Sequence, residues 1–367
     1  MKIGVLTSSR ADYSIYYPLL KTIRSDSFFT LKILAFGTHL SRRHGLTLNQ
    51  ILEDNFEVEH KLDTAPIDDT PKAISASMGK TMKMFSNIWH SNKYDLILCL
   101  GDRYEMFAAC ASAIPFGLKL AHIHGGEQTL GAIDDVFRHS ITCMSSYHFT
   151  ACEAYRARVV QLRGSEKNVF NVGALSIDNL RNLELYSIGE FKENFGIDLS
   201  IPSILITFHP ETVSFEKNGF YINELISALE GTQGYQFVIT MPNADTMGLM
   251  IREQWQAFVD RTNNAFGVES LGTIGYLSCM KHCQFLLGNT SSGYIEASFF
   301  PKYVVDIGSR QAGRIVTHNI QRCNIEKNDI IAAIKRAKSF SSLPKVNIYG
   351  NGNAAKKIIK ILKSTND

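Results

Sequence analysis

Short apolar runs recur along this chain, each followed by a polar loop and a helix-length amphipathic stretch, and the series occurs twice. Lys2 to Thr7, Leu31 to Phe36, Asp95 to Leu100, Lys119 to Ile123 and His148 to Thr150 read as strands, with Tyr13 to Ile23 as the first intervening helix. Asn168 to Leu175 reads as the last strand of that series. Near-continuous apolar strands such as "DLILCL" are what a parallel sheet covered on both faces requires. A polar stretch from Ser176 to Asp198 interrupts the pattern. It restarts with Ser203 to Pro210, Gln236 to Pro242, "FGVESL", Gln284 to Asn289 and Tyr303 to Gly308.

The expected fold is therefore α/β, with two Rossmann-like, doubly wound domains, a central cleft, and ligands at the carboxyl ends of the strands. The expected boundaries are 1–175 for the first domain and 176–350 for the second, with 351–367 as a closing amphipathic helix packing back on the first domain. A chain of 367 residues, 45% of them hydrophobic, is long enough for two such cores.

Charge narrows the range of partners. The net charge is +3, from 38 basic and 35 acidic side chains, and no basic stripe points to nucleic acid. The longest apolar stretches fall far short of a membrane span, and the opening run Lys2–Leu6 lacks the length of a signal-peptide core. Seven scattered cysteines without a Cys-x-x-Cys pair fit reduced thiols, so a cytoplasmic location is expected.

The chemistry-bearing residues stand just after strands. In "TSSRADYS", Thr7 to Ser14, a loop enters a helix whose free N–H groups favour anions, and Arg10 offers a planar fork. Asp12 or Ser14 there also suits a helix cap. "CLGDRYE" places Asp102, Arg103 and Glu105 after the most apolar strand. "AHIHGGEQTLGAIDDVFRHS" gathers His122, His124, Glu127, Asp134, Asp135, Arg138 and His139 around a Gly125–Gly126 turn. Carboxylates and imidazoles so grouped suit acid–base catalysis. His122 and His124, two apart on a strand, point to one face, but no third ligand follows at helical spacing, so no metal is expected.

In the second half, "TFHPET" puts His209 after a strand. "LLGNTSSGYIEAS" joins strand, small-residue loop and helix, with Ser291, Ser292 and Gly293 as a phosphate seat. Glu296, one turn into that helix, suits the two hydroxyls of a ribose. "IGSRQAGR" adds Arg310 and Arg314 as neutralisers of a diphosphate.

These motifs together resemble the hydrolysing UDP-N-acetylglucosamine 2-epimerases. "SRADYS", "LGDRYE", "HIHGGE" with "IDDVFRHSIT", "FHPET", "GNTSSGYIE" and "GSRQAGR" stand in that family's order from Arg10 to Arg314, and "YGNGNAAKKI" follows near the end. The resemblance implies two domains in a glycosyltransferase-B arrangement, a homo-oligomer, and release of UDP with inversion at carbon 2 to give N-acetylmannosamine for sialic acid synthesis. It implies that Arg10, Ser14, Arg103, His209, Ser291, Ser292, Glu296 and Arg314 hold the UDP portion. It further implies that Asp102 and the Gly-Gly segment act on the sugar, with Asp134 rather than Asp135 at the second acidic position. Several relatives carry glutamate before Gly-Gly where this chain has His124, so either His124 or Glu127 takes that role. The route needs no NAD or redox centre, and no cofactor is expected. An alternative substrate is UDP-2,4-diacetamido-2,4,6-trideoxyglucose. An alternative activity is glycosyl transfer on the same two-domain fold, which would not call for so many acid–base groups.

Overall fold

The computed structural model describes residues 1–242, 247–339 and 343–364, and its strands fall into two sheets. In the first lie β1 (Lys2–Thr7), β2 (Thr30–Phe36), β3 (Val58–Leu62), β4 (Leu96–Leu100), β5 (Leu120–Ile123), β6 (Tyr147–Thr150) and β7 (Val169–Asn171). Their order is β3-β2-β1-β4-β5-β6-β7, every pair parallel. The second holds β8 (Ser203–Thr207), β9 (Gln236–Thr240), β10 (Ala265–Val268), β11 (Phe285–Gly288), β12 (Tyr303–Ile307) and β13 (Ile320–Cys323). Their order is β10-β9-β8-β11-β12-β13, again all parallel. Each sheet thus reverses its winding once, between β1 and β4 and between β8 and β11. Outside the carboxyl ends of such strands a parallel sheet leaves room for a ligand.

Three expectations change. β3 and β13 were not anticipated, because "VEHKL" and "IQRC" are edge strands that are only partly buried and carry polar residues. The stretch Asn168–Leu175 is strand only to Asn171, and Leu175–Asn182 is a helix. Gly173 breaks the strand with φ +94°, and a Cβ there would stand 3.0 Å from the Tyr349 carbonyl oxygen. The polar stretch after it holds a second helix, Ile188–Phe195, started by a capping box in which Ser187 and Glu190 bond reciprocally.

The chain forms two units. One comprises Met1–Glu127, Asp134–Arg181 and the chain from Ile348 on; the other comprises Gln128–Ile133 and Asn182–Asn347. In the first unit, Ile3, Val5, Ile33 and Leu98 pack with Leu19, Leu20 and Ile23 of the helix Arg10–Arg24. Ile358, Ile359 and Leu362 of the closing helix Ala354–Ser364 join the same core. Each such side chain contributes about 1.5–3 kcal/mol on burial. Asp178 fixes the start of the closing helix by accepting from Ala354 N at 2.9 Å and Ala355 N at 2.8 Å. In the second unit, Ile204, Ile206, Phe237, Leu287 and Val305 pack with Leu225, Trp255 and Phe258. No helix among the described residues is long and apolar enough to cross a membrane.

Candidate active site

The anticipated residues map onto the two reversal points. Arg10 and Ser14 follow β1, Asp102 and Arg103 follow β4, His209 follows β8, and Ser291, Ser292 and Glu296 follow β11. His124, Glu127 and Asp134 follow β5, and Arg314 follows β12, each the next strand outward.

In the first unit, the loop before Arg10 is folded around one buried carboxylate. Asp12 accepts from Ser8 N at 2.7 Å and Ser9 N at 2.8 Å, and from both serine hydroxyls at 3.1 and 3.0 Å. Ser9 is the N-cap of the helix, so neither Asp12 nor Ser14 caps it; Asp12 reaches back from the first turn and closes the loop. Arg10 is the first helical residue. Arg103 is oriented likewise: Nε and Nη2 each donate to the fully buried carboxylate of Glu105 at 3.2 Å.

The acid–base segment converges on Arg138, a residue of the helix Asp134–Met144. Its guanidinium pairs with Asp102, lies 3.1 Å from Glu127 Oε2, and donates to the His124 carbonyl at 3.2 Å. Glu127 Oε1 stands 2.6 Å from His124 Nδ1. His124, Glu127 and Arg138 are all buried. His124 Nε2 is buried with no hydrogen-bond partner among the described residues. Asp134 opens the helix one turn before Arg138, on the same face. Asp135 instead lies 3.5 Å from His139, which faces Arg158.

His124 lies one residue beyond β5, with φ +64°. The strand alternation expected to align it with His122 therefore stops short of it. Left-handed backbone costs a non-glycine residue roughly 1–2 kcal/mol, and such strain concentrates at functional positions. His124 N, donating to the Phe149 carbonyl at 3.0 Å, helps to hold it there. Gly126 completes the turn at φ +83°, where a Cβ would meet the Tyr155 carbonyl oxygen at 2.4 Å. His122 is a brace: its nitrogens contact the Gly101 carbonyl at 2.8 Å and Thr142 Oγ1 at 3.1 Å, and burial pushes its pKa down to about 4. Among the described residues, no group of three or more His, Cys, Asp or Glu side chains is arranged to hold a metal ion.

In the second unit, Ser291–Gly293 forms a single 3₁₀ turn and the helix begins at Glu296. Glu296 is thus its first residue rather than one turn inside, because the small residues tighten the entry. Gly288 makes the sharp exit from β11 possible: at φ +142°, a Cβ would stand 2.0 Å from the Thr207 carbonyl oxygen. Ser292 Oγ is 2.5 Å from the hydroxyl of Tyr276, whose pKa burial pushes up to about 12. Asn289 bonds through its side chain to both His209 N and His209 O at 2.8 Å, tying the ends of β8 and β11. Glu211 clamps the loop after β12, accepting from Ser309 N at 2.6 Å, Ser309 Oγ at 2.8 Å and Arg310 N at 3.0 Å. The segment Gln128–Ile133 is held by Leu130 N to the Ala312 carbonyl at 3.0 Å and Ile133 N to Thr212 Oγ1 at 2.9 Å.

Sequence reasoning passed over Asp12 as a loop clamp, and over Glu211, Asn289 and the central place of Arg138. The signal for Arg138 was its spacing, four residues after Asp134.

Two parallel sheets, each with polar loops at its reversal point, define a doubly wound α/β protein with an added cluster of ionisable side chains. A family model described as UDP-N-acetylglucosamine 2-epimerase matches residues 21–363, and the chain belongs to that family. It is 35% identical over 339 residues to the GDP/UDP-N,N'-diacetylbacillosamine 2-epimerase (hydrolyzing) of Campylobacter jejuni, covering 92% of this chain and 88% of that one. It is 33% identical over 367 residues to the polysialic acid biosynthesis protein P7 of Escherichia coli, covering 99% and 93%. Its fold matches the crystal structure of UDP-GlcNAc 2-epimerase from Neisseria meningitidis bound to UDP-GlcNAc with a TM-score of 0.84, at 18% identity over 99% of this chain and 100% of that one.

Proposed function

We propose that the protein is a hydrolysing 2-epimerase that converts UDP-N-acetylglucosamine and water to N-acetylmannosamine and UDP. The observation that carries this reading is the cluster of half-buried Asp102 with buried His124, Glu127 and Arg138, which combines a paired carboxylate with an imidazole nitrogen that has no hydrogen-bond partner among the described residues.

The hydrogen on carbon 2 is too weakly acidic for direct removal. Breaking the bond between carbon 1 and the UDP oxygen first develops oxocarbenium character, which acidifies it. Arg10 and Arg314 stabilise the leaving diphosphate, with Arg103, His209, Ser14, Ser291 and Ser292 as further UDP contacts and Glu296 on the ribose. Asp102, held by Arg138, takes the carbon 2 proton and leaves 2-acetamidoglucal. His124, oriented by Glu127, returns a proton to the opposite face of carbon 2. Water adds at carbon 1, and its surplus proton passes to Asp134. No hydride moves, so the route calls on no redox cofactor. On this reading the protein works as a homo-oligomer in the cytoplasm and supplies N-acetylmannosamine for sialic acid or surface polysaccharide.

A second reading keeps the chemistry and changes the sugar to UDP-2,4-diacetamido-2,4,6-trideoxyglucose. The name of the C. jejuni relative supports it. A proton NMR time course in deuterated water, run with each sugar nucleotide, tests both. Free UDP, a free sugar with inverted carbon 2 and one deuterium at that carbon are expected. Nucleotide-bound product, or product retaining the original hydrogen at carbon 2, would rule the mechanism out.

A further inference from the structure

Gln311 stands in the loop after β12, three residues before Arg314, and is fully buried. Its side-chain amide makes two bonds of opposite sense. Oε1 accepts from Arg314 Nε at 2.6 Å, and Nε2 donates to the Asn289 carbonyl at 2.8 Å. Only one amide orientation satisfies both, since a flipped group would set donor against donor and acceptor against acceptor.

The residue is itself pinned. Its backbone carbonyl accepts from Arg322 Nη2 at 3.0 Å. Arg322 also donates through Nε and Nη2 to the Tyr294 hydroxyl at 3.1 and 3.0 Å, and that hydroxyl donates to Asp306 Oδ2 at 2.5 Å. Tyr294 lies in the chain between Ser292 and Glu296, and its ring centroid is 5.9 Å from the Arg314 guanidinium carbon. Asn289, the other partner, is bonded to His209. One buried amide therefore connects the loops that follow β8, β11 and β12.

We infer that Gln311 is a positioning residue that aims the Arg314 guanidinium at the diphosphate without touching the nucleotide. A free arginine side chain samples many rotamers, and ordering it on binding costs affinity. A bond at Nε fixes the plane of the guanidinium, so its terminal N–H groups present one defined fork. The inference rests on the proposed UDP function.

Calorimetric titration of the whole protein with UDP and with uridine separates the two. Wild-type protein that does not bind UDP overturns the function and the inference with it. Given wild-type binding, Gln311→Met keeps the length of the side chain and removes both amide bonds. It is expected to weaken UDP about tenfold and leave uridine unchanged. Equal weakening of both ligands, or of neither, overturns the positioning role. Should that variant not fold, Gln311→Glu carries the test. As a neutral acid it reproduces both amide bonds; ionised, it faces the Asn289 carbonyl with an acceptor and offsets the charge of Arg314. Its UDP affinity, relative to wild type at the same pH, is expected to fall as pH rises, with uridine flat. A ratio independent of pH overturns the inference.

Discussion

Glu127 Oε1 lies 2.6 Å from His124 Nδ1, and an ionised carboxylate can only accept, so the proton between them sits on the imidazole. That leaves Nε2 as the ring nitrogen able to pass a proton to or from a substrate. Glu127→Gln removes the carboxylate that orients the imidazole. It is expected to lower kcat about 10²- to 10⁴-fold with UDP affinity unchanged, read by steady-state kinetics beside UDP titration. Unaltered kcat would remove the pair from the reaction.

His124→Asn separates fold from chemistry. Asparagine tolerates left-handed backbone better than most residues, so the turn at φ +64° should survive. Turnover is expected to collapse while the melting temperature changes little. A large drop in melting temperature would instead mark His124 as a structural residue.

Arg138 holds two carboxylates and a carbonyl in a buried setting. Replacing it with Met leaves Asp102 and Glu127 without their cation. Breaking such a pair typically costs about 3–5 kcal/mol, which denaturant titration of Arg138→Met would detect. A loss below about 1 kcal/mol would mean that water already screens the cluster.

Gly126→Ala places a Cβ 2.4 Å from the Tyr155 carbonyl oxygen, at φ +83°. The left-handed backbone alone costs roughly 1–2 kcal/mol, and the clash adds to it. The expected result is lower stability together with lost turnover, since the turn carries both His124 and Glu127.

Acid should act on two buried groups, His122 and Asp306, in opposite directions. Burial lowers the His122 pKa from 6.5 to about 4, so between those values the unfolded chain binds the extra proton and native stability falls as pH falls. Burial raises the Asp306 pKa from 3.8 to about 6, so in that window the native state holds the extra proton and stability rises as pH falls. Every tenfold difference in proton affinity between the folded and unfolded chain is worth about 1.4 kcal/mol. Denaturant titrations at pH 4.5 and pH 7 should show Asp306→Asn losing the acid-side gain that Asp306 contributes. A pH dependence identical to wild type would contradict the assignment.

Much of the frame was legible because its central strands are plain apolar runs. "DLILCL" has no polar residue after its first, and β4 is buried throughout. The edges were not legible: Glu59, His60 and Lys61 of β3 face partly to solvent, so no apolar run announces the strand. Asp102, Arg103, His209 and Ser291 could be picked out because each follows such a run directly. Asn289, Glu211 and Gln311 could not, since their work lies in bonds across strand ends. Asn289 reaches a residue 80 positions away and Glu211 one 98 positions away, and no local pattern encodes either pairing. The His124 backbone was equally hidden, because strand periodicity carries no sign of a left-handed residue one step beyond the strand.

The six residues Gln128–Ile133 belong to one unit although Glu127 and Asp134, on either side, belong to the other. A gene fragment ending at Arg181 would therefore encode a piece of its missing companion, and one beginning at Asn182 would lack it. Neither half can be lifted out by a single cut, so swapping domains between relatives to graft a new sugar preference would need the two segments of the second unit, or the three of the first, exchanged together.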